Sequence, residues 1–188
     1  MDINKINNYL RESIKVAEKQ LEMVDEFLVI AELVKNKMEN GGTLFFCGNG
    51  GSAADSQHLA AELIGRFKKN RKALKSIALT TDTSIITSNA NDFGYETIFS
   101  RQLEALGSND DILIAISTSG ESSSILNAVS KAKKMGITTI AFTKKGNNSL
   151  NSSADLSIDV PSEETGVIQQ SHITFGQLLC YYLEENLS

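Results

Sequence analysis

The sequence predicts a doubly wound three-layer α/β/α sandwich around a central five-stranded parallel sheet. Three observations carry this expectation. Short apolar runs recur along the whole chain, and segments of helical periodicity separate them. The runs are continuous rather than alternating, as strands covered on both faces require. At 188 residues, with 41% hydrophobic and 22% charged residues, the chain can bury one sizeable core.

The elements follow in order. One domain is expected over 1–188, with an N-terminal helical segment over 1–40 for oligomerisation and the sandwich over 41–188. Residues 3–39 read as helical with one break, on positions such as Ile14, Val16, Leu21, Val24, Leu28, Ile30 and Leu33. The stretch "ENGG" at 39–42 stops it, because glycine accepts a left-handed C-cap. "TLFFC" at 43–47 is a buried strand. A helix follows from Ser52, with Asp55 three residues on as a capping box. Next come strand "SIALTT" (76–81), helical stretches 82–90 and 95–106, strand "DILIAIS" (111–117) and helix 122–135. Strands "TTIAFT" (138–143) and "LSIDV" (156–160) precede a last helix from 164 to 187.

Composition narrows the function. A net charge of -5 leaves no basic footprint for nucleic acid or an anionic membrane. Runs such as "ILIAI" at 112–116 are too short to cross a bilayer, and "MDINKINNYLRE" lacks the apolar core of a secretory signal. Cys47 and Cys180 lie in apolar contexts without metal-type spacing, which predicts buried free thiols in a reducing, cytoplasmic setting.

Two strand ends carry unusual loops. "GNGGS" at 48–52 lets backbone N–H groups approach an anion at a helix N-terminus, but it also suits a tight strand-to-helix turn. It matches neither standard glycine-rich phosphate fingerprint. "STSGESSS" at 117–124 places Ser117, Thr118, Ser119, Ser122, Ser123 and Ser124 around a helix start. A cap needs one or two hydroxyls, and the excess points to an anion site without lysine or arginine.

Asp55, His58, Glu62 and Arg66 fall within about 80° of one another on a helix that is otherwise apolar. Such a stripe is commonly a solvated face. This one follows directly from a strand end, and its His and Glu at i and i+4 can share one divalent metal. In the last helix, Gln169 and Gln177 lie about 80° apart and can face one site two turns apart. His172 sits on the other side of Gln169 and reads as a hydrogen-bonded, partly buried histidine or as a competing ligand. The basic run "RFKKNRKALK" at 66–75 has no interleaved stacking aromatics and reads as a solvated loop, Arg66 excepted.

The segments "FFCGNGGSAADSQHLAAELIGRF", "SNANDFGYETIFSRQLEALG", "DILIAISTSGESSSILNAVSKAKKMG" and "IQQSHI" together resemble the phosphoheptose isomerases of the sugar isomerase (SIS) superfamily, in order and almost throughout the chain. The resemblance implies a SIS-type sandwich. It also implies conversion of D-sedoheptulose 7-phosphate to D-glycero-D-manno-heptose 7-phosphate, the first step toward the ADP-heptose of bacterial surface glycans. It implies a cytoplasmic homotetramer with active sites between subunits and one zinc per subunit. By match of position, Asn49, Gly50 and Gly51 would bind sugar, with Asn91 and Asp92 as a second substrate segment. Ser117, Thr118, Ser119 and Ser122 would hold phosphate. His58 and Glu62 would bind zinc, Glu62 also acting as base, and Gln169 would bind zinc and touch substrate. The fourth family ligand is usually histidine; here that position is Gln177, which donates more weakly and cannot exchange protons near pH 7. Two other readings remain. One is a non-catalytic superfamily member that associates with the bacterial replication initiator. It lacks a glutamate at the position of Glu62 and has "STRG" where this chain has "STSG". The other is a phosphosugar-binding sensor, or an isomerase of a shorter sugar phosphate.

Overall fold

The computed structural model describes residues 2–187. Met1 and Ser188, the ends of the expected domain, lie outside the described residues. Helices α1 (Ile3–Gln20) and α2 (Val24–Glu39) are separated by one tight turn at Leu21–Met23, the single break anticipated in this segment. Then follow β1 (Leu44–Gly48), α3 (Gly51–Ile64), β2 (Ser76–Ala78), α4 (Thr83–Phe93), a turn at Tyr95–Thr97 and α5 (Ser100–Leu106). The second half runs β3 (Ile112–Ile116), α6 (Ser123–Lys134), β4 (Thr138–Lys144), α7 (Ser149–Ser153), β5 (Leu156–Val160) and α8 (Thr165–Asn186).

The five strands pair in parallel in the order β2-β1-β3-β4-β5. Helices cover both faces, and β1 and β3 bury every side chain, whereas the edge strands β2 and β5 are only partly buried, with Ile77 exposed. Phe46, Ile114 and Phe142 join Leu59, Leu63, Phe175 and Leu179 on one side; Phe45, Leu113 and Ala141 join Leu103, Ile125 and Val129 on the other. This is why the inner strands read as continuous apolar runs. Cys47 and Cys180 are buried free thiols, and burial raises the Cys180 thiol to about 12. Among the described residues no helix is long and apolar enough to cross a membrane.

Local departures have local causes. Helix α3 begins at Gly51, not Ser52, and the capping box does not form. Gly50 is the N-cap at φ +56, a left-handed turn that swings the chain straight from β1 into the helix, while Ser52 is buried inside it. β2 stops at Ala78, where Thr81 Oγ1 donates back to the Ala78 carbonyl and turns the chain. The five-residue α7 has no apolar periodicity to announce it; the Asn148 side chain caps it by accepting from Asn151 N.

His172 is buried completely, beyond the partial burial expected of it. Its Nε2 lies 3.2 Å from the Thr143 carbonyl. Burial lowers its pKa to about 4, against the upward pull of that hydrogen bond. It is a neutral donor to β4, between sheet and helix.

Candidate active site

In this strand order the chain reverses direction between β1 and β3, so a crevice opens at their carboxyl ends. Both loops singled out in the sequence lie there, and one side chain ties them together. Asn49, just past β1, donates through Nδ2 to Ser122 Oγ (2.8 Å) and Ser124 Oγ (2.9 Å). Its Oδ1 accepts from the Tyr95 hydroxyl at 2.8 Å. Within the β3 loop, Ser117 Oγ and Ser119 Oγ lie 3.3 Å apart, accepting from the N–H groups of Gly120 and Glu121 respectively. No side chain caps α6, although Ser122 stands at its N-cap. Its first turn is left without a side-chain cap beside the hydroxyls of Ser122 and Ser124, 3.3 Å apart, an arrangement suited to phosphate. A cleft of about 410 Å³ adjoins this loop, lined by Thr118, Ser119, Glu121, Lys144 and Asn148 among others.

The polar stripe of α3 faces α8. His58 Nε2 lies 3.4 Å from Glu62 Oε1, and the Gln177 amide reaches the same nitrogen at 3.3 Å. Gln169 does not join them. It donates to both Asp55 carboxylate oxygens, at 3.1 and 3.3 Å, and packs over Gly51, where a Cβ would stand 2.5 Å from its amide. Burial raises the Asp55 carboxyl, against the lowering effects of Gln169 and His58. The helices run side by side in one direction, so Gln169 meets the start of α3 and Gln177 its middle. Gly176 makes the contact close: a Cβ there would lie 2.4 Å from Leu59 Cδ1.

Two expectations are corrected here. Arg66 does not continue the stripe as a helical position, because α3 ends at Ile64 with Gly65 as its cap. Nor is the run 66–75 simply solvated: the Arg71 side chain is 1% exposed and pairs with the fully buried Glu184 of α8, Nε to Oε2 at 3.3 Å. Asn91 and Asp92 sit exposed at the end of α4, hydrogen-bonded to each other and to no other site residue described.

Residues 5–144 match the SIS domain. A phosphoheptose isomerase of Akkermansia muciniphila is 47% identical over 165 residues, covering 88% of this chain and 87% of that protein. One of Aquifex aeolicus is 46% identical over 97% of this chain and 96% of its own. The chain belongs to the phosphoheptose isomerase family. The solved phosphoheptose isomerase of Neisseria gonorrhoeae superposes with a TM-score of 0.91 at 35% identity, over 97% of this chain and 98% of that one.

Sequence reasoning toward this phosphoheptose isomerase family site overlooked two participants. Tyr95 lay inside a quoted segment, yet nothing in its spacing marks it as a partner of Asn49. Arg71 looked like its solvated neighbours, because its burial depends on Glu184, more than a hundred residues away.

Proposed function

We propose that this protein is an aldose–ketose isomerase that interconverts D-sedoheptulose 7-phosphate and D-glycero-D-manno-heptose 7-phosphate. The observation that carries this reading is the convergence of Glu62, His58 and Gln177 in a chain whose hydroxyl-lined crevice suits phosphate. Family membership along nearly the whole chain supports it. In the forward direction Glu62 takes a proton from C1 of the ketose, leaving an enediolate, and returns it to C2. A second proton passes from O1 to O2. Gln177, a neutral amide, cannot carry it and serves only to hold a group in place. Ser117, Thr118, Ser119 and Ser122 fix the phosphate. Asn49, Gly50, Gly51, Asn91, Asp92 and Gln169 contact the sugar, so binding energy orients the reacting carbons. Assaying ketose phosphates of five to seven carbons tests the reading. Turnover of the seven-carbon substrate is expected; turnover confined to a shorter one would overturn it.

One zinc per subunit belongs to the proposal. Bonds of about 2.0–2.2 Å to a tetrahedral ion separate donor atoms by roughly 3.4 Å, which the spacings of His58 to Glu62 and to Gln177 match. His58 Nε2 cannot donate to Glu62 and accept from Gln177 at once, whereas all three groups can offer lone pairs to one ion once the Gln177 amide is turned. For Gln169 to complete the set it must release Asp55. A bound ion would supply a Lewis acid for the substrate carbonyl oxygen. With only one nitrogen donor, Gln177→His should tighten zinc, because imidazole is the better ligand. Titrations showing equal or weaker affinity would refute this ligand set.

A cytoplasmic homotetramer with active sites between subunits completes the reading. Ile3, Ile6, Leu10 and Ile14 form an exposed apolar stripe on α1. A cleft of about 550 Å³ lies along that helix, lined by Ile6, Tyr9, Leu10 and Glu164 among others. Glu62 stands roughly 16 Å along α3 from Gly51, by the rise of the helix. That is long for one sugar phosphate to bridge within one subunit, and a neighbour's loop would shorten it. Light scattering should return four times the chain mass; a monomer at micromolar concentration would exclude the assembly.

A further inference from the structure

We propose that Arg71 is a positioning residue of the isomerase, fixing the turn that carries Glu62 and locking α3 to α8. The inference rests on Glu62 being the base, as proposed above. Glu62 lies in the last turn of α3, three residues before the Gly65 cap. The carbonyls of a final helical turn lack partners within the helix, and such ends fray. Here the guanidinium takes their place. Arg71 Nη2 donates to the Glu62 carbonyl at 2.9 Å, and Nη1 to the Leu63 carbonyl at 2.9 Å and the Lys72 carbonyl at 3.0 Å. Its Nε faces Glu184 of α8, whose carboxylate also accepts from the backbone N–H groups of Phe67, Lys68 and Lys69 at 2.7–2.9 Å.

The fork therefore joins three things: the backbone of the base, the loop that follows it, and α8. Glu184 stands seven residues, about two turns, beyond Gln177 on α8. Between these contacts the Cys180 thiol donates to the Leu59 carbonyl at 3.7 Å. The pairs Gln177–His58, Cys180–Leu59 and Glu184–Arg71–Glu62 thus form successive rungs between the two helices. The last rung is the only ionic one among them, and it holds the turn whose side chain must meet the substrate carbon. A misplacement of about 1 Å at a reacting group can cost about 100-fold in rate. Lysine cannot substitute, because one ammonium cannot span both carbonyls in the plane of Glu184.

The test uses the full-length protein with Arg71→Lys, which keeps the charge opposite Glu184, and Arg71→Met as a second variant. For Arg71→Lys we expect kcat to fall about 10- to 100-fold with KM near the wild-type value, since the phosphate loop lies at the other end of α3. Exchange of the substrate C1 proton with deuterated solvent should fall by the same factor. Hydrogen–deuterium exchange should rise in peptides covering 59–72 and stay unchanged in β3 and α6. A folded Arg71→Lys protein with wild-type kcat and C1 exchange would overturn the inference. So would a rise in KM alone. If Arg71→Lys fails to fold, Arg71→Met is judged by the same split. If wild type turns over no ketose phosphate, the functional proposal falls instead, and amide exchange over 59–72 still decides whether Arg71 holds this turn.

Discussion

Glu62→Gln is expected to reduce kcat by about 10²–10⁴-fold, the range a positioned general base contributes. The substitution keeps size and shape and, on the role proposed for Glu62, removes the ability to accept the C1 proton. Its structural cost should be small. The Glu62 side chain is 21% exposed, and His58 is its polar partner among the described residues. Sugar-phosphate affinity should persist, because Asn49 and the serine loop are untouched. The variant also loses an anionic donor for zinc, so rates are to be compared at saturating zinc. A kcat near wild type under those conditions would move the proton transfer to another group.

Glu184→Leu should have the largest effect on stability. It strands the Arg71 guanidinium in a buried position and leaves the N–H groups of Phe67, Lys68 and Lys69 without their acceptor. Removing one partner of a buried pair costs about 3–5 kcal/mol. Exposed Lys69 and Glu185 flank this one, so about 3 kcal/mol is expected. Acid should narrow the difference. Burial raises the Glu184 carboxyl, but the three N–H donors and Arg71 outweigh it and hold it below the ordinary glutamate range. Between its folded and unfolded values the unfolded chain binds more protons, so stability rises with pH there. The contribution is complete above the unfolded value, near 4.3, and disappears as pH falls through the lower folded one. Urea unfolding of both proteins at pH 7 and at progressively lower pH checks this. A difference that does not shrink on acidification would mean the carboxylate is not what stabilises.

The sheet was legible because its inner strands are buried on both faces, which writes itself as short continuous apolar runs, most clearly in β1 and β3. The His58–Glu62 pair was legible because the spacing of a helix brings i and i+4 together whatever else the fold does. What no spacing reveals is contact between distant segments. Gln169 and Gln177 look equivalent on a helical wheel, yet α8 lies alongside α3 in one direction and delivers them to different turns, Asp55 and His58. The Ser52 capping box failed because a glycine at positive φ had already made the turn that a cap would have stabilised. Arg71 was hidden by composition: a charge in a run of charges reads as wet until its partner is known.

The crevice exists only where β1 and β3 lie side by side, and that pairing sets Leu44 against Ile112, with α3, β2, α4 and α5 threaded between them in sequence. Closing so long an excursion is slow relative to local structure, because chain entropy is lost before the contacts form. Every partly folded state without this pairing lacks the proposed phosphate site. A sugar phosphate therefore recognises only the finished sheet, and by mass action it withdraws that state from unfolding without recruiting any earlier one. Substrate should lengthen the lifetime of the native protein while leaving its rate of folding unchanged, so that in a cell the molecules at work are also those longest protected from proteolysis.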